Sequence, residues 1–314
     1  MMAPMSDTAA SVLPWLWMPI VLAAALAQTA RNTAQRSLVA QAGTLGATLA
    51  RFLYGLPFAA LWVLALHLLP AGGAAIPAFH AGYFGWLMLG ALGQLAATAC
   101  LLAAMKQRNF VIGVAYSKTD ALQVALFATL FLRELPGWVT LGAMTLATAG
   151  VVLLSVPPKA AAGGLRAGSG RAGWFGLASG AGFALSALGY RGAALQLPDT
   201  SVWLIGAWGV LWAQAAQSLL LGAWLAWRAP EALRATATAW RVSILAGGTG
   251  ALASIGWFTA FALTTAANVR TLGMIEVVFS YLVSHRLLRE RLSRGDQAGL
   301  ALVAAGLLAL CLDL

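Results

Sequence analysis

Only nine of the 314 residues carry a carboxylate. With 19 basic residues they make the chain 9% charged, against about 25% for a soluble globular domain. Hydrophobic residues make up 61% of the chain, and the mean hydropathy is +0.83. A soluble protein would have nowhere to hide so much apolar surface, so the composition defines a polytopic, all-α integral membrane protein. The 19 basic residues are too sparse for a nucleic-acid-binding surface.

Other scarcities narrow the chemistry. The two cysteines, Cys100 and Cys311, both fall in apolar runs and imply no disulfide framework. The three histidines, His67, His80 and His285, are too scattered for a metal site. No Gly-Lys-Ser/Thr phosphate loop is present, which argues against ATP drive within this chain. No Ser-His-Asp or paired-cysteine arrangement stands out, and no cofactor motif does either. An enzyme is not the expected reading. The N-terminal stretch MMAPMSDTAASVLP has no basic region, so the first apolar run reads as a retained helix rather than a cleaved signal.

What the chain has is apolar runs, and a spanning helix needs roughly 20 such residues. Ten runs qualify as candidates. The first five are Val12–Ala30 (extendable to Val39), Leu45–Leu69, Tyr83–Met105, Val111–Leu132 and Trp138–Val156. The next five are Gly173–Leu195, Val202–Trp227, Val242–Leu263, Thr271–Leu288 and Ala298–Leu312. Residues 157–172 are rich in proline, glycine and basic residues and read as a linker. They divide the chain into a unit over 12–156 and a second over 173–314.

The two units match at an offset of 156. Asp120 falls on Glu276, Leu126 on Leu282, Leu132-Arg133-Glu134 on Leu288-Arg289-Glu290, and Gly150 on Gly306. A shared acid, a shared Leu-Arg-Glu and a shared glycine in one gap-free register point to an internal duplication. Five helices per unit is an odd number, so the second copy must enter the membrane from the opposite side. The expected architecture is two inverted five-helix repeats with a substrate site near the midplane.

Charge also predicts orientation. Fourteen basic residues fall on one side: Arg31, Arg36, Lys106, Arg108, Lys159, Arg166, Arg171, Arg228, Arg234, Arg241, Arg286, Arg289, Arg291 and Arg294. Three fall on the other, Arg133, Arg191 and Arg270, while Arg51 and Lys118 lie within helices. The excess of lysine and arginine on cytoplasmic loops then places both termini outside a multi-pass inner (plasma) membrane.

The segments FLRELPGWVTLGAMTLATAGVVLL (131–154) and LLRERLSRGDQAGLALVAAGLLAL (287–310) carry a likeness. With the five-plus-five plan, the chain resembles the EamA-like branch of the drug/metabolite transporter superfamily over nearly its whole length. The resemblance implies transport of a metabolite or drug-like solute, a class spanning amino acids, nucleotide-sugars, amines and drugs. Three departures stand out. Arg133 and Arg289 occupy positions where the family usually has glycine. Many members carry a proline near the positions of Asp120 and Glu276, and this chain does not. The family habit is cytoplasmic termini, opposite to the charge count.

Charges inside apolar runs supply the candidate site. Asp120 lies nine residues past Val111, roughly 13 Å along a helix and close to the midplane. Glu276 is expected at similar depth. A lipid-facing charge there costs on the order of 3 kcal/mol or more, so these groups are expected to face a polar cavity or one another. On a regular helix Lys118 and Asp120 are about 200° apart, which leaves Glu276 as the expected partner of Lys118. Such a pair reads either as a lock between the fourth and ninth helices or as a device for substrate or protons.

Gln28, Arg31, Asn32 and Gln35 recur at helical spacing, on a pathway or at a polar helix end. Arg51 reads as snorkelling to the interface or as a cavity cation. Gln94, Tyr116 and Trp257 are candidates for hydrogen bonding or stacking around a solute. Glu134 and Glu290 are expected to cap the helices that follow them and to pair with nearby arginines. Trp15, Trp17, Trp138, Trp227 and Trp240 sit at run ends, as an interfacial belt would.

The leading expectation is a secondary transporter of a small molecule, with protons as a candidate coupling ion and the lipid bilayer as its surroundings. A homodimer is left open. The alternatives are a non-transporting membrane scaffold and a membrane enzyme acting on lipid head groups.

Overall fold

The computed structural model describes residues 7–68, 75–105, 116–155, 171–279 and 294–312. All the regular structure among them is helical. The elements in chain order are α1 (Asp7–Leu53), α2 (Leu56–Leu68), α3 (Ala81–Met105), α4 (Asp120–Phe127), α5 (Trp138–Ser155) and α6 (Arg171–Leu195). They continue with α7 (Val202–Arg228), α8 (Pro230–Thr238), α9 (Trp240–Leu263), α10 (Ala266–Gly273) and α11 (Arg294–Leu312). Residues 275–279 form a further helical turn after α10.

Among the described residues, five stretches are long and apolar enough to cross a membrane: Ser37–Leu68, Ala81–Ala104, Val202–Arg228, Trp240–Leu263 and Gly295–Leu312. Asp120–Leu132 and Trp138–Leu154 are shorter apolar helices. Large apolar side chains point outward all round the bundle, among them Leu64, Leu130, Leu219, Leu252 and Leu308. The polar side chains Gln214, Gln217, Ser179, Ser243 and Thr271 are buried. An apolar exterior over a largely apolar core that also admits polar groups suits a membrane protein. Lipid offers no hydrophobic drive for helix association, so packing and small residues must hold the helices together.

The helices pair across the chain. α1 packs most extensively on α9, α3 on α6, and α5 on α11. The α5–α11 crossing is glycine-dependent. A Cβ on Gly150 would lie 2.6 Å from the Gly299 carbonyl oxygen, and one on Gly306 would lie 2.7 Å from that of Ala143.

Boundaries differ from the sequence reading in several places. The first two apolar runs are continuous through α1, which bends at Gly43 (φ 67, ψ 173), a conformation open to glycine alone. The Gln35 amide bridges this bend by donating to the Ala47 carbonyl at 2.8 Å. The second run then breaks at Tyr54–Gly55 before α2. α10 begins at Ala266, earlier than the expected Thr271, because the Thr265 hydroxyl caps it by accepting from the Asn268 N–H at 3.3 Å. α6 begins at Arg171, inside the expected linker. Most of that linker lies outside the described residues, as do Val111, Leu282 and the Leu288-Arg289-Glu290 copy.

After α4 the backbone widens into a π-turn over Ala128–Leu132. It ends at Arg133, which takes the left-handed conformation (φ 57, ψ 24). Glu134 follows and pairs with Arg191 at 2.8 Å, tying this turn to the end of α6. The expected arginine partner is therefore present, and it comes from another helix. Of the tryptophans read as a belt, Trp15, Trp138, Trp227 and Trp240 are exposed. Trp17 is 2% exposed and belongs to the core.

Candidate functional site

A cavity of about 290 Å³ lies among α1, α3, α4, α6, α9 and α10. Eight of the nine site residues expected from sequence line it: Gln28, Asn32, Arg51, Gln94, Lys118, Asp120, Trp257 and Glu276. The ninth, Tyr116, does not. It lies in a shallow apolar groove with Leu122, Leu126 and Trp174. One residue on, Ser117 is in the cavity, so the backbone turns Tyr116 away as it turns Ser117 in.

Asp120 opens α4 and is buried. Its carboxylate accepts a charge-assisted hydrogen bond from the Arg270 guanidinium of α10. Arg270 was counted as a loop residue in the sequence reading, because the ninth apolar run has a polar start. The earlier start of α10 carries it into the bundle.

Glu276 has a different environment. One of its oxygens accepts from the Gln28 amide and the other from the Asn32 amide, the latter at 2.7 Å. The Gln28 oxygen in turn accepts from the Trp257 indole N–H at 2.9 Å. The Asn32 oxygen accepts from Arg31 Nη2 at 2.6 Å and Nε at 3.2 Å. A continuous chain therefore runs Trp257–Gln28–Glu276–Asn32–Arg31. The periodic polar residues of the first helix line a cavity, with Gln35 excepted, since its amide is used at the α1 bend.

The expected Lys118–Glu276 pair is not formed. Glu276 is held by amides, and Lys118 makes no ion pair among the described residues. The assumed angular separation of Lys118 and Asp120 also fails. Lys118 and Thr119 lie in a turn, regular helix begins at Asp120, and both charges line one cavity. Arg51 resolves toward the cavity rather than the interface.

Opposite the Glu276 chain, Gln94 accepts from Gln217 at 2.7 Å and from the Tyr190 hydroxyl at 3.2 Å. The Tyr190 ring lies on Phe258 with centroids 4.1 Å apart. Phe183 and Phe261 complete an aromatic wall. Tyr190, Gln217 and these phenylalanines gave no sequence signal, because each sits in a run where an aromatic or an amide is ordinary packing. The arrangement can hold a small solute by charge at one wall and by ring contact at another. No groups of three or more histidine, cysteine or acidic residues suited to a metal occur among the described residues.

The fold and cavity define a helical membrane protein with a charged internal chamber. The chain superimposes on a protein of known crystal structure with a TM-score of 0.67 at 18% identity, over 94% of this chain and 97% of the other. That likeness establishes the fold alone. No family model matches the chain, and no curated protein matches it.

Proposed function

We propose that the chain is a secondary transporter of a small metabolite or drug-like solute, built as two inverted five-helix repeats of the EamA-like kind. The observation that carries the reading is the cavity itself, lined by six charged side chains inside an apolar helical bundle. Charges are costly at such a place and are kept where they act on ions or solutes. A scaffold has no use for them.

The repeat reading draws support from contacts that repeat at the 156-residue offset. Gly150 approaches Gly299 and Val303, and Gly306 approaches Ala143 and Ala147. Adding 156 to Gly150, Ala143 and Ala147 gives Gly306, Gly299 and Val303, so each contact is the image of the other. The pairings of α1 with α9 and α3 with α6 exchange in the same way. Two halves facing each other across a central cavity provide the elements for alternating access.

The basic asymmetry favours both termini outside an inner membrane. Placing Arg31 and Arg270 in the cavity removes one residue from each side of that count and leaves its sign unchanged.

The test is flux in proteoliposomes across a panel of amino acids, organic acids, amines and nucleotide-sugars, with and without a pH gradient. Saturable, protein-dependent movement of one class is expected. No movement of any class above empty liposomes would favour the scaffold.

A further inference from the structure

The charges of the cavity do not balance. Arg31, Arg51, Lys118 and Arg270 line it against only two carboxylates, Asp120 and Glu276. Asp120 is taken by Arg270. Glu276 bonds to two amides rather than to a cation. Arg31, Arg51 and Lys118 therefore have no ion pair among the described residues.

Arg51 differs from the other two. Its Nε is buried with no hydrogen-bond partner among the described residues, while its guanidinium sits 4.6 Å from the Phe52 ring centroid. Arg31 converges on the same place. A Cβ on Gly250 would lie 3.2 Å from Arg31 Cδ and 3.3 Å from Arg51 Cγ. The methylene stems of two arginines share one glycine notch, and both side chains line the same cavity, so two like charges are gathered there. Away from bulk water that repulsion is strong, and an anion between them relieves it.

We propose that the solute is a small organic oxyanion, its carboxylate or phosphate held by Arg51 and Arg31 and its apolar body lying on Trp257, Phe258 and Phe261. This deepens the transporter reading and rests on it. A guanidinium presents a planar fork of donors that fits two oxygens of either group. The net positive lining attracts an anion and opposes entry of an amine. The cavity of about 290 Å³ is at the small end for ligand sites, which span roughly 300–1,000 Å³, and sets the size at a single ring or a short chain.

The experiment uses four probes that share a phenyl body and differ in charge: phenylacetate, phenyl phosphate, phenylalanine and phenethylamine. Binding to the purified full-length protein is read by calorimetry, and flux is read in proteoliposomes. Phenylacetate or phenyl phosphate binds saturably, and whichever is tighter identifies the oxyanion. Phenethylamine does not bind. Arg51→Gln weakens anion binding about tenfold or more, and Arg51→Lys restores part of it. Because the variant removes an uncompensated charge, the melting temperature of the empty protein stays the same or rises, so lost binding is not lost folding.

Tighter binding of phenethylamine or phenylalanine than of either anion overturns the proposal. So does an absence of anion binding, or anion binding indifferent to Arg51→Gln. The two readings fail separately. Anion binding without flux contradicts the transporter and keeps the anion site, whereas flux of the amine alone keeps the transporter and contradicts the anion site.

Discussion

Asp120 and Glu276 stand 156 residues apart, at the offset of the proposed repeat, and line one cavity. Their surroundings differ. Asp120 is buried against a guanidinium that neutralises it. Glu276 is half-buried, held by two neutral amides, and reached by Arg31 only through Asn32. The first acid fastens α4 to α10. The second has no ion pair among the described residues. Matching positions in sequence have thus become an anchor on one side and, under the transporter reading, a responsive group on the other.

The anchor should show the largest effect. Asp120→Asn leaves the Arg270 guanidinium half-buried and unpaired, and is expected to destabilise the protein by about 2 kcal/mol or more. Adding Arg270→Gln should recover much of that loss, because removing both charges avoids the lone one. A thermal-unfolding double-mutant cycle in detergent reads the coupling. Additive losses would mean that Asp120 and Arg270 do not act as a pair.

Glu276→Gln should cost less stability, about 1–2 kcal/mol, since it breaks no ion pair but leaves one of the Gln28 and Asn32 donors facing a new N–H2. Its effect belongs in transport. Uptake is expected to lose its response to a pH gradient while the protein remains folded and inserted. An unchanged response would remove Glu276 as a proton carrier and make the two acids alike.

Lys118→Met combined with Glu276→Gln sharpens the comparison further. The two changes should add to within about 0.5 kcal/mol, because no contact joins the residues. A coupling energy well above that would restore the pair that the sequence predicts.

The smallest effect concerns Arg133. Its left-handed backbone is costly for a side chain with a Cβ, and the residue is exposed. Arg133→Gly should therefore stabilise the protein by up to about 1 kcal/mol with transport intact. Destabilisation would show that the arginine side chain has a role in the turn.

The sequence revealed much of this site because charge is conspicuous in oil. Asp120, Lys118 and Glu276 are visible as ions in apolar runs, and Gln28, Arg31 and Asn32 as polar residues at helical spacing. Arg270 escaped because a helix boundary was placed five residues late. Thr265, a good N-cap residue, was the available signal. Read as one regular helix, the fourth run points Lys118 to Glu276, whereas a turn at Lys118–Thr119 changes which way its side chains face. Tyr190 and the aromatic wall were not legible at all. Their role depends on α6 and α9 meeting, and no local pattern records that contact.

A cavity that carries a solute across the membrane must open to each side in turn. Ser254 lines the cavity from α9 and can report on this without knowledge of the solute. With Cys100→Ser and Cys311→Ser removing the native thiols, a Ser254→Cys variant is treated with a membrane-impermeant thiol reagent. The reagent is applied to right-side-out vesicles and, separately, to inside-out vesicles. If the cavity transports, labelling occurs from both sides and is slowed in each case by a transported solute. Labelling from one side only, under every condition of solute and pH, would contradict it.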